Sequence, residues 1–487
     1  MEANKGLLIL VALALAGALA VLIVSNEPNS LLPIFFGLLL LVISFLSTPA
    51  SLYILVFSML LSPEFMVGGL AGGGTAAGRG ITLRFDDFLL VVIGFVWLAK
   101  RAFFKEGTPF TRSPLNGPIM FYIAMSAVAT LLGMLDGRVK GMTGLFFLLK
   151  YYEYVFIYFM VIGSVETQKQ ANNLVLASLV TCFLVSLYAI AQIPSGERAS
   201  APFEGETGEP NTLGGYLVLM LALVTGLLMT PGAVPRRWPL VILLVAGAIG
   251  LLATLSRSSF LAAAVVVLAL VARMAVRKPI LVPIILIVLL ASPWWAPEAV
   301  TDRIFYTFLQ PVEEGQLYVA GVRVDTSTSD RIRSWKSGLL YWQAYPIWGT
   351  GVTGGPFMDA MYPRVLTETG TVGMVAFLVL LGSLLRLGVM AYRQAQEPFP
   401  RGLALGYILG LIGLMVHAVG ANTFIIVRIM EPFWLMTALV MRSLMISQAT
   451  QPAPTESQAR PALDIQAGTR AGRPVWNRSD MAGRRKL

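Results

Sequence analysis

The sequence contains very little cysteine, histidine or charge. Its 487 residues include one cysteine, Cys182, one histidine, His417, and only 13% charged residues. A single cysteine excludes a disulfide within the chain, and the two counts together exclude a His/Cys metal cluster. The sequence also lacks an Asp-x-Asp motif of the kind that holds a metal. We therefore expect no metal site, and we also expect no cofactor.

Apolar residues dominate the composition instead. They make up 56% of the chain, and the mean hydropathy of +0.74 lies far outside the range of soluble domains. A helix that crosses a membrane needs roughly 17 to 25 mainly apolar residues, and runs of that kind recur along the sequence. The composition predicts an all-α, polytopic membrane protein.

The apolar runs predict about fourteen spans. They lie near residues 6–24, 31–47, 50–62, 86–99, 117–134, 143–163, 170–193, 212–230, 238–254, 258–275, 279–295, 367–392, 402–420 and 429–446. The third and fourth runs are short and fit a re-entrant pair equally well, which would lower the count to about twelve.

Lysine and arginine predict the orientation in the membrane. Most of those in short connections fall into four groups: Lys100, Arg101, Lys105 and Arg112; Arg236 and Arg237; Arg273, Arg277 and Lys278; and Arg393 and Arg401. Alternate counting of spans puts all four groups on one side, which the positive-inside rule makes cytoplasmic. The first apolar run lacks a small-x-small cleavage site, so we expect a retained helix and cytoplasmic termini.

The spans divide the chain into four parts. We expect an N-terminal transmembrane bundle at 1–295, a large external loop at 296–366, C-terminal membrane helices at 367–446 and a disordered basic tail at 447–487. The loop exceeds the usual connection length, so it should form a folded cap. Residues 329–345 within it, with Asp330 as a possible cap, predict an amphipathic helix on or near the membrane surface.

Three arginines lie on the side opposite the basic connections. Arg198 precedes one span, Arg257 opens another and Arg331 lies in the loop helix. Topology does not require positive charge there, so an anionic ligand is one explanation. A helix N-terminus beside Arg257 would add free N–H groups that attract phosphate. The alternatives are an arginine that reaches lipid head groups, a surface salt bridge for Arg198 and solvated charge for Arg331.

Four short motifs follow one another around these arginines. They are Arg198 with Glu209–Gly214; Leu255–Ser258; Arg331 and Trp335 with Pro346–Gly351; and Tyr362 with Leu366, Glu368, Thr369 and Gly370. In this order they resemble the O-antigen ligase and polysaccharide-polymerase superfamily, integral membrane glycosyltransferases of the C type, over roughly residues 140–445. The resemblance implies a C-type membrane fold and an undecaprenyl-diphosphate-linked glycan as the donor. It also implies a polysaccharide or lipid acceptor at the outer face of the bacterial inner membrane. Membrane lipid is then a partner, and nucleic acid is not.

The resemblance also implies roles for individual residues. Arginines matching Arg198, Arg257 and Arg331 hold the diphosphate, Asn211 and Tyr362 contact the substrate, and transfer proceeds with inversion and without a metal. The ligases carry a loop histidine three residues before the aromatic that Tyr362 matches, whereas this chain has Asp359 there. We therefore predict that Asp359 or Glu368 accepts the acceptor's proton.

Some alternatives stay open at this point. His417 falls in the middle of a predicted span, where it makes either a packing hydrogen bond or a proton relay. Lys150 and Glu153 are three residues apart on one helical face and predict a buried pair. The competing function is a transporter or flippase for a polysaccharide or lipid-linked oligosaccharide, which would favour inverted repeats. If the protein is a glycosyltransferase, the sequence is compatible with both ligation and polymerisation.

Overall fold

The computed structural model describes residues 41–67, 81–104, 111–204, 208–275, 297–319 and 321–450, together with residues 280, 283, 287 and 291. The predicted span 6–24, most of the span 31–47 and nearly all of the span 279–295 lie outside these residues. The predicted tail also lies outside them after Thr450, so the total number of spans stays a prediction.

Within the described residues the chain forms α-helices, two short hairpins and two 3-10 turns. The helices are α1 (Thr48–Leu61), α2 (Phe85–Phe104), α3 (Asn116–Leu135), α4 (Gly141–Ser164), α5 (Gln168–Ala191), α6 (Pro210–Met229), α7 (Trp238–Ala253), α8 (Arg257–Ala275), α9 (Glu298–Leu309), α10 (Thr326–Ala344), α11 (Met361–Gln394), α12 (Pro398–His417) and α13 (Val427–Thr450). The strands are β1 (Glu64–Val67), β2 (Ile81–Arg84), β3 (Tyr318–Val319) and β4 (Val322–Arg323), and the 3-10 turns are Ile193–Ser195 and Thr423–Ile425.

This architecture confirms the all-α, polytopic membrane fold. Among the described residues, eight helices are long and apolar enough to cross a membrane, namely α3, α4, α5, α6, α8, α11, α12 and α13. The helices α1 and α7 are shorter apolar helices. The short predicted spans 50–62 and 86–99 correspond to α1 and α2, which are joined through the antiparallel hairpin β1–β2.

Glycines bring α6 and α12 into close contact. A Cβ atom on Gly226 would lie 2.2 Å from the backbone nitrogen of Gly406, and one on Gly406 would lie 2.5 Å from Cα of Leu223. Small residues permit this approach between membrane helices, where dispersion contacts replace the hydrophobic effect as the driving force. Among the eight described helices that could cross a membrane, α6, α12 and α13 are the most deeply buried.

Buried ion pairs join helices that are distant in sequence. Lys150 on α4 lies 3.3 Å from Glu153, which confirms the predicted pair, and 2.5 Å from Asp87 on α2. Arg84 contacts both Asp86 at 2.6 Å and Glu431 at 3.2 Å, the latter on α13. Lys150 and Arg84 thus each pair with carboxylates from more than one segment, where burying a lone charge would be costly.

The helix α11 is kinked at Gly370, whose φ of 63° and ψ of −164° are non-helical. Residues 346–351 lie across the kink and bond to the backbone on both sides of it. The N–H groups of Thr350 and Gly351 donate to the carbonyls of Thr367 and Glu368, both at 2.9 Å. Those of Thr371 and Val372 donate to the carbonyls of Pro346 at 2.8 Å and Ile347 at 3.3 Å. The motif Pro346–Gly351 is thus the partner of the kink.

The loop helix α10 begins earlier than the sequence predicted. Its cap is Asp325, whose Oδ1 accepts the N–H of Thr328 at 3.1 Å, so the prediction of Asp330 as the cap was wrong. Small residues face the protein: Ser334 and Gly338 are buried, and a Cβ on Gly338 would lie 2.6 Å from Cβ of Pro363. Trp335 and Leu339 stay exposed, and contact of this helix with the membrane surface remains a prediction.

Candidate functional site

Four arginines from separate segments lie together at one end of the bundle. Arg198 follows the first 3-10 turn, Arg257 begins α8, Arg303 lies on α9 and Arg331 lies on α10. Burial and, after it, the charges of Arg303, Arg257 and Arg331 lower the pKa of Arg198 to about 10. The structure thus brings the three predicted arginines together and adds Arg303. We call these four residues the arginine cluster.

Arg257 is held by two residues of the loop. Its Nη2 lies 2.5 Å from Oδ2 of Asp325, and its Nη1 donates to the hydroxyl of Thr307. Burial favours the neutral form of Asp325, but the hydrogen bonds from Arg257 and Thr328 outweigh it, so the net pKa of Asp325 is lowered. Arg257 is therefore oriented by an ionised carboxylate in the free protein.

The other three arginines of the cluster share one mode of attachment. Arg198, Arg303 and Arg331 each donate a hydrogen bond from Nε to a main-chain carbonyl, that of Thr254 at 3.2 Å, Leu255 at 3.4 Å and Gly420 at 3.0 Å. Their terminal Nη atoms donate no hydrogen bond to the described part of the chain. A guanidinium anchored through Nε keeps its terminal N–H groups for an anionic ligand.

The turn before α8 is strained and is held by two of these arginines. Leu255 adopts a positive φ of 47°, which is unfavourable for a residue with a side chain. The carbonyls of Thr254 and Leu255 are the acceptors for Arg198 and Arg303. The turn places the start of α8 at Arg257, which confirms the predicted position of Arg257 at a helix N-terminus.

A network of hydroxyl groups lies behind the start of α8. Oδ1 of Asn211 accepts from Oγ of Ser256 at 2.7 Å and from Oγ of Ser258 at 3.4 Å. Oγ of Ser259 lies 2.8 Å from Oγ of Ser256 and 3.1 Å from Nε2 of His417. Asn211 therefore fastens α6 to the first turn of α8, and its predicted contact with substrate remains a prediction.

His417 lies in a different place from the one predicted. It is the last residue of α12, at the same end of the bundle as the arginine cluster, so its prediction as a mid-span residue was wrong. The ring is fully buried, and its Nδ1 lies 2.8 Å from Oγ1 of Thr423. With Ser259 at the other nitrogen, both ring nitrogens make the packing hydrogen bonds that the sequence offered as one alternative.

The two predicted bases have different surroundings. The backbone N–H of Asp359 donates to Oγ of Ser334 at 3.1 Å. Burial and the charge of Arg257 lower the pKa of Arg331, and the negative charge of Asp359 partly opposes this shift. Glu368 instead pairs with Arg364, whose Nε lies 3.0 Å from Oε1, and accepts from the hydroxyl of Tyr151 at 3.3 Å. Asp359 therefore adjoins the cluster, whereas Glu368 is neutralised by its own arginine.

Tyr362 joins α11 to the end of α12. Its hydroxyl donates to the carbonyl of Met415 at 2.8 Å, and its ring centroid lies 6.4 Å from that of Trp335.

Among the described residues, no group of three or more His, Cys, Asp or Glu side chains is arranged to hold a metal ion.

Sequence reasoning missed Arg303 and Asp325. Arg303 lies in the predicted external loop, so the argument from charge on the wrong side of the membrane applied to it as well. Asp325 gave no local signal, because its partner Arg257 is 68 residues away.

A family model described as O-Antigen ligase matches residues 242–374. This range includes Arg257, Arg303 and Arg331 of the cluster as well as Asp325 and Asp359. A search of curated proteins gave no match to the chain. The family match confirms the predicted resemblance to the O-antigen ligase and polysaccharide-polymerase superfamily over residues 242–374.

Proposed function

We propose that the protein is a glycosyltransferase that moves a glycan from undecaprenyl diphosphate to an acceptor hydroxyl on a polysaccharide or lipid. The reaction takes place at the outer face of the bacterial inner membrane, with both termini in the cytoplasm. The observation that carries this proposal is the shared anchoring of Arg198, Arg303 and Arg331 through Nε beside the fixed side chain of Arg257. A diphosphate supplies the several acceptor oxygens that such a cluster of donors can bind.

The cluster would stabilise the leaving group. As the acceptor oxygen forms its bond to the anomeric carbon, the bond from that carbon to the phosphate oxygen breaks and its electron pair stays on the diphosphate. Fixed guanidinium groups stabilise the charge that builds there, without reorganising at the moment of reaction. Attack from the side opposite the diphosphate inverts the anomeric carbon.

Asp359 is the better placed of the two candidate bases. Its carboxylate is close enough to act on the charge of Arg331, so a hydroxyl beside it would also be near the diphosphate. It would take the proton that the acceptor hydroxyl loses. Glu368 already forms a salt bridge with Arg364, whose Nε lies 3.0 Å from its Oε1, so its carboxylate would have to leave this partner to reach an acceptor hydroxyl.

Glycan transfer by the purified protein tests this proposal. The donor would be undecaprenyl-diphosphate glycans extracted from cells that make the protein, and the readout would be lengthened or transferred glycan. We expect Arg257→Ala and Arg331→Ala to lose at least about 100-fold in rate, as expected for loss of transition-state charge stabilisation.

Arg333→Ala is the matched control for Arg331→Ala. Arg333 lies on the same helix, but it is exposed and pairs with Asp330 at 3.0 Å, outside the cluster. Its variant should transfer glycan at the normal rate. Normal rates in both cluster variants would refute the assignment of the cluster, and movement of the lipid-linked glycan without transfer would favour a flippase.

A further inference from the structure

Trp335 and Arg331 form a pair on one face of α10. They are four residues apart, which places them one above the other on the helix. Nε of Arg331 donates to the carbonyl of Gly420 at 3.0 Å, and Nε1 of Trp335 donates to the carbonyl of Val419 at 3.4 Å. Neighbouring carbonyls just after α12 therefore fix the spacing between the guanidinium and the indole ring.

Tyr362 fixes the other side of the indole. Its hydroxyl is bound to the carbonyl of Met415 at 2.8 Å, and the planes of the two rings are 34° apart with centroids separated by 6.4 Å. The polar atoms of both rings are thus bound to the end of α12. Trp335 is 39% exposed and lies next to Arg331 of the arginine cluster.

We infer that Trp335 and Tyr362 form a binding platform for the sugar directly attached to the diphosphate. This inference rests on the proposed function, because Arg331 would hold the diphosphate. A pyranose ring has one face of C–H groups and a rim of hydroxyls, so it stacks on an aromatic ring while its rim bonds to polar groups. Four residues of α-helix, a rise of about 6 Å, separate Arg331 from Trp335, which suits a phosphate and the sugar next to it.

Polar groups for the rim of the sugar are also close. Asp359 acts on the charge of Arg331 and is attached through its N–H to Ser334, the residue before Trp335. A sugar stacked on Trp335 would thus have a carboxylate and a guanidinium at its edge. This arrangement makes the platform selective for glycosylated over bare lipid diphosphate.

Binding measurements with three lipids test the platform. The probes are undecaprenyl diphosphate alone and the same lipid carrying either N-acetylglucosamine or galactose, each titrated into the purified full-length protein in detergent. We expect at least one glycosylated lipid to bind about tenfold more tightly than bare undecaprenyl diphosphate, equivalent to about 1.4 kcal/mol. Trp335→Ala should abolish this difference and leave the affinity for the bare lipid unchanged, while Trp335→Phe should keep most of it.

Trp348→Ala is the control for loss of a loop tryptophan, because Trp348 is also 39% exposed but is not adjacent to Arg331 on α10. It should bind all three lipids normally. Equal binding of the three lipids by the unmodified protein would contradict the proposed sugar platform. Equal weakening of all three by Trp335→Ala would also contradict it, because it would show that Trp335 contacts the lipid and not the sugar. Failure of the bare lipid diphosphate to bind at all would instead refute the proposed function.

Discussion

Arg257 and Asp325 form an ion pair that joins the bundle to the loop. Nη2 of Arg257 lies 2.5 Å from Oδ2 of Asp325, and both side chains are largely buried. Asp325 also caps α10 through its Oδ1. One carboxylate therefore sets the start of the loop helix and the direction of the arginine at the start of α8.

Removing the carboxylate should destabilise the protein. We expect Asp325→Leu to cost about 3 kcal/mol, because Arg257 would remain buried without its partner. The double variant Arg257→Leu with Asp325→Leu should lose less than the sum of the two single losses. Denaturant unfolding in detergent measures all three, and strictly additive losses would show that the pair is not coupled.

The same pair predicts a dependence of stability on pH. Because the pKa of Asp325 is lower in the folded protein, its contribution is complete above the ordinary pKa of about 3.9. The contribution is lost as the pH falls below that value and through the lowered pKa. The stability deficit of Asp325→Asn should therefore be constant from about pH 5 to pH 8 and shrink only in stronger acid. A deficit that disappears near pH 7 would contradict the lowered pKa.

The arginine cluster should make the free protein less stable than its complex. The charges of Arg257, Arg303 and Arg331 disfavour the charged form of Arg198, so replacing Arg198 relieves repulsion. We expect Arg198→Met to raise Tm without ligand and to reduce the increase in Tm that undecaprenyl diphosphate causes. Thermal unfolding with and without the lipid tests both effects, with Arg333→Met as the control. An unchanged increase in Tm would argue against Arg198 as a ligand residue.

The sequence predicted the membrane helices well, because apolar runs report directly on which segments cross the hydrocarbon. It placed Arg257 correctly, since the apolar run of α8 begins directly after it. It failed at His417 because Ala418, Val419 and Gly420 continue the apolar run after the helix has ended. At this point the chain turns, and the carbonyls of Val419 and Gly420 face the loop helix.

The candidate site was only partly predictable. The arginines could be found because their charge conflicted with the predicted topology. The carbonyls that anchor them could not be predicted, because every residue has a backbone carbonyl and its position depends on the fold. The salt bridge between Arg364 and Glu368 follows from their spacing, because residues four positions apart on a helix are neighbours, but the family motif contains Glu368 without its partner.

His417 and Asp359 should differ in their effect on the pH dependence of transfer. The ring of His417 is buried with both nitrogens bonded to hydroxyls, so it positions the start of α8 and cannot receive the acceptor's proton directly. We expect His417→Asn to lower the rate without changing the shape of the pH–rate profile. Asp359→Asn should remove the acidic limb. The reverse pattern would identify His417 as the base.

Replacing Gly349 or Gly382 by alanine should have very different effects on the stability of the protein. Gly349 has a φ of +72°, and a Cβ there would lie 2.6 Å from the backbone of the kink in α11, so Gly349→Ala should cost at least about 2 kcal/mol. Gly382 lies on α11 with open space around it, so Gly382→Ala should be neutral or stabilise the helix by up to about 1 kcal/mol. Thermal unfolding and the transfer rate would be measured together. Equal effects of the two changes would show that the kink tolerates a side chain at residue 349.

The hydrogen bonds across the kink also determine which part of the loop is free to move. Residues 346–351 are bonded to α11 both before and after Gly370, so bending there would break four backbone hydrogen bonds together. The kink is therefore a fixed bend in the helix and not a hinge. If the protein transfers glycan as proposed, we expect the movement that releases the product to come from the part of the loop before residue 346, which carries Arg303 and Arg331. Product release and loosening of the diphosphate would then be one and the same motion.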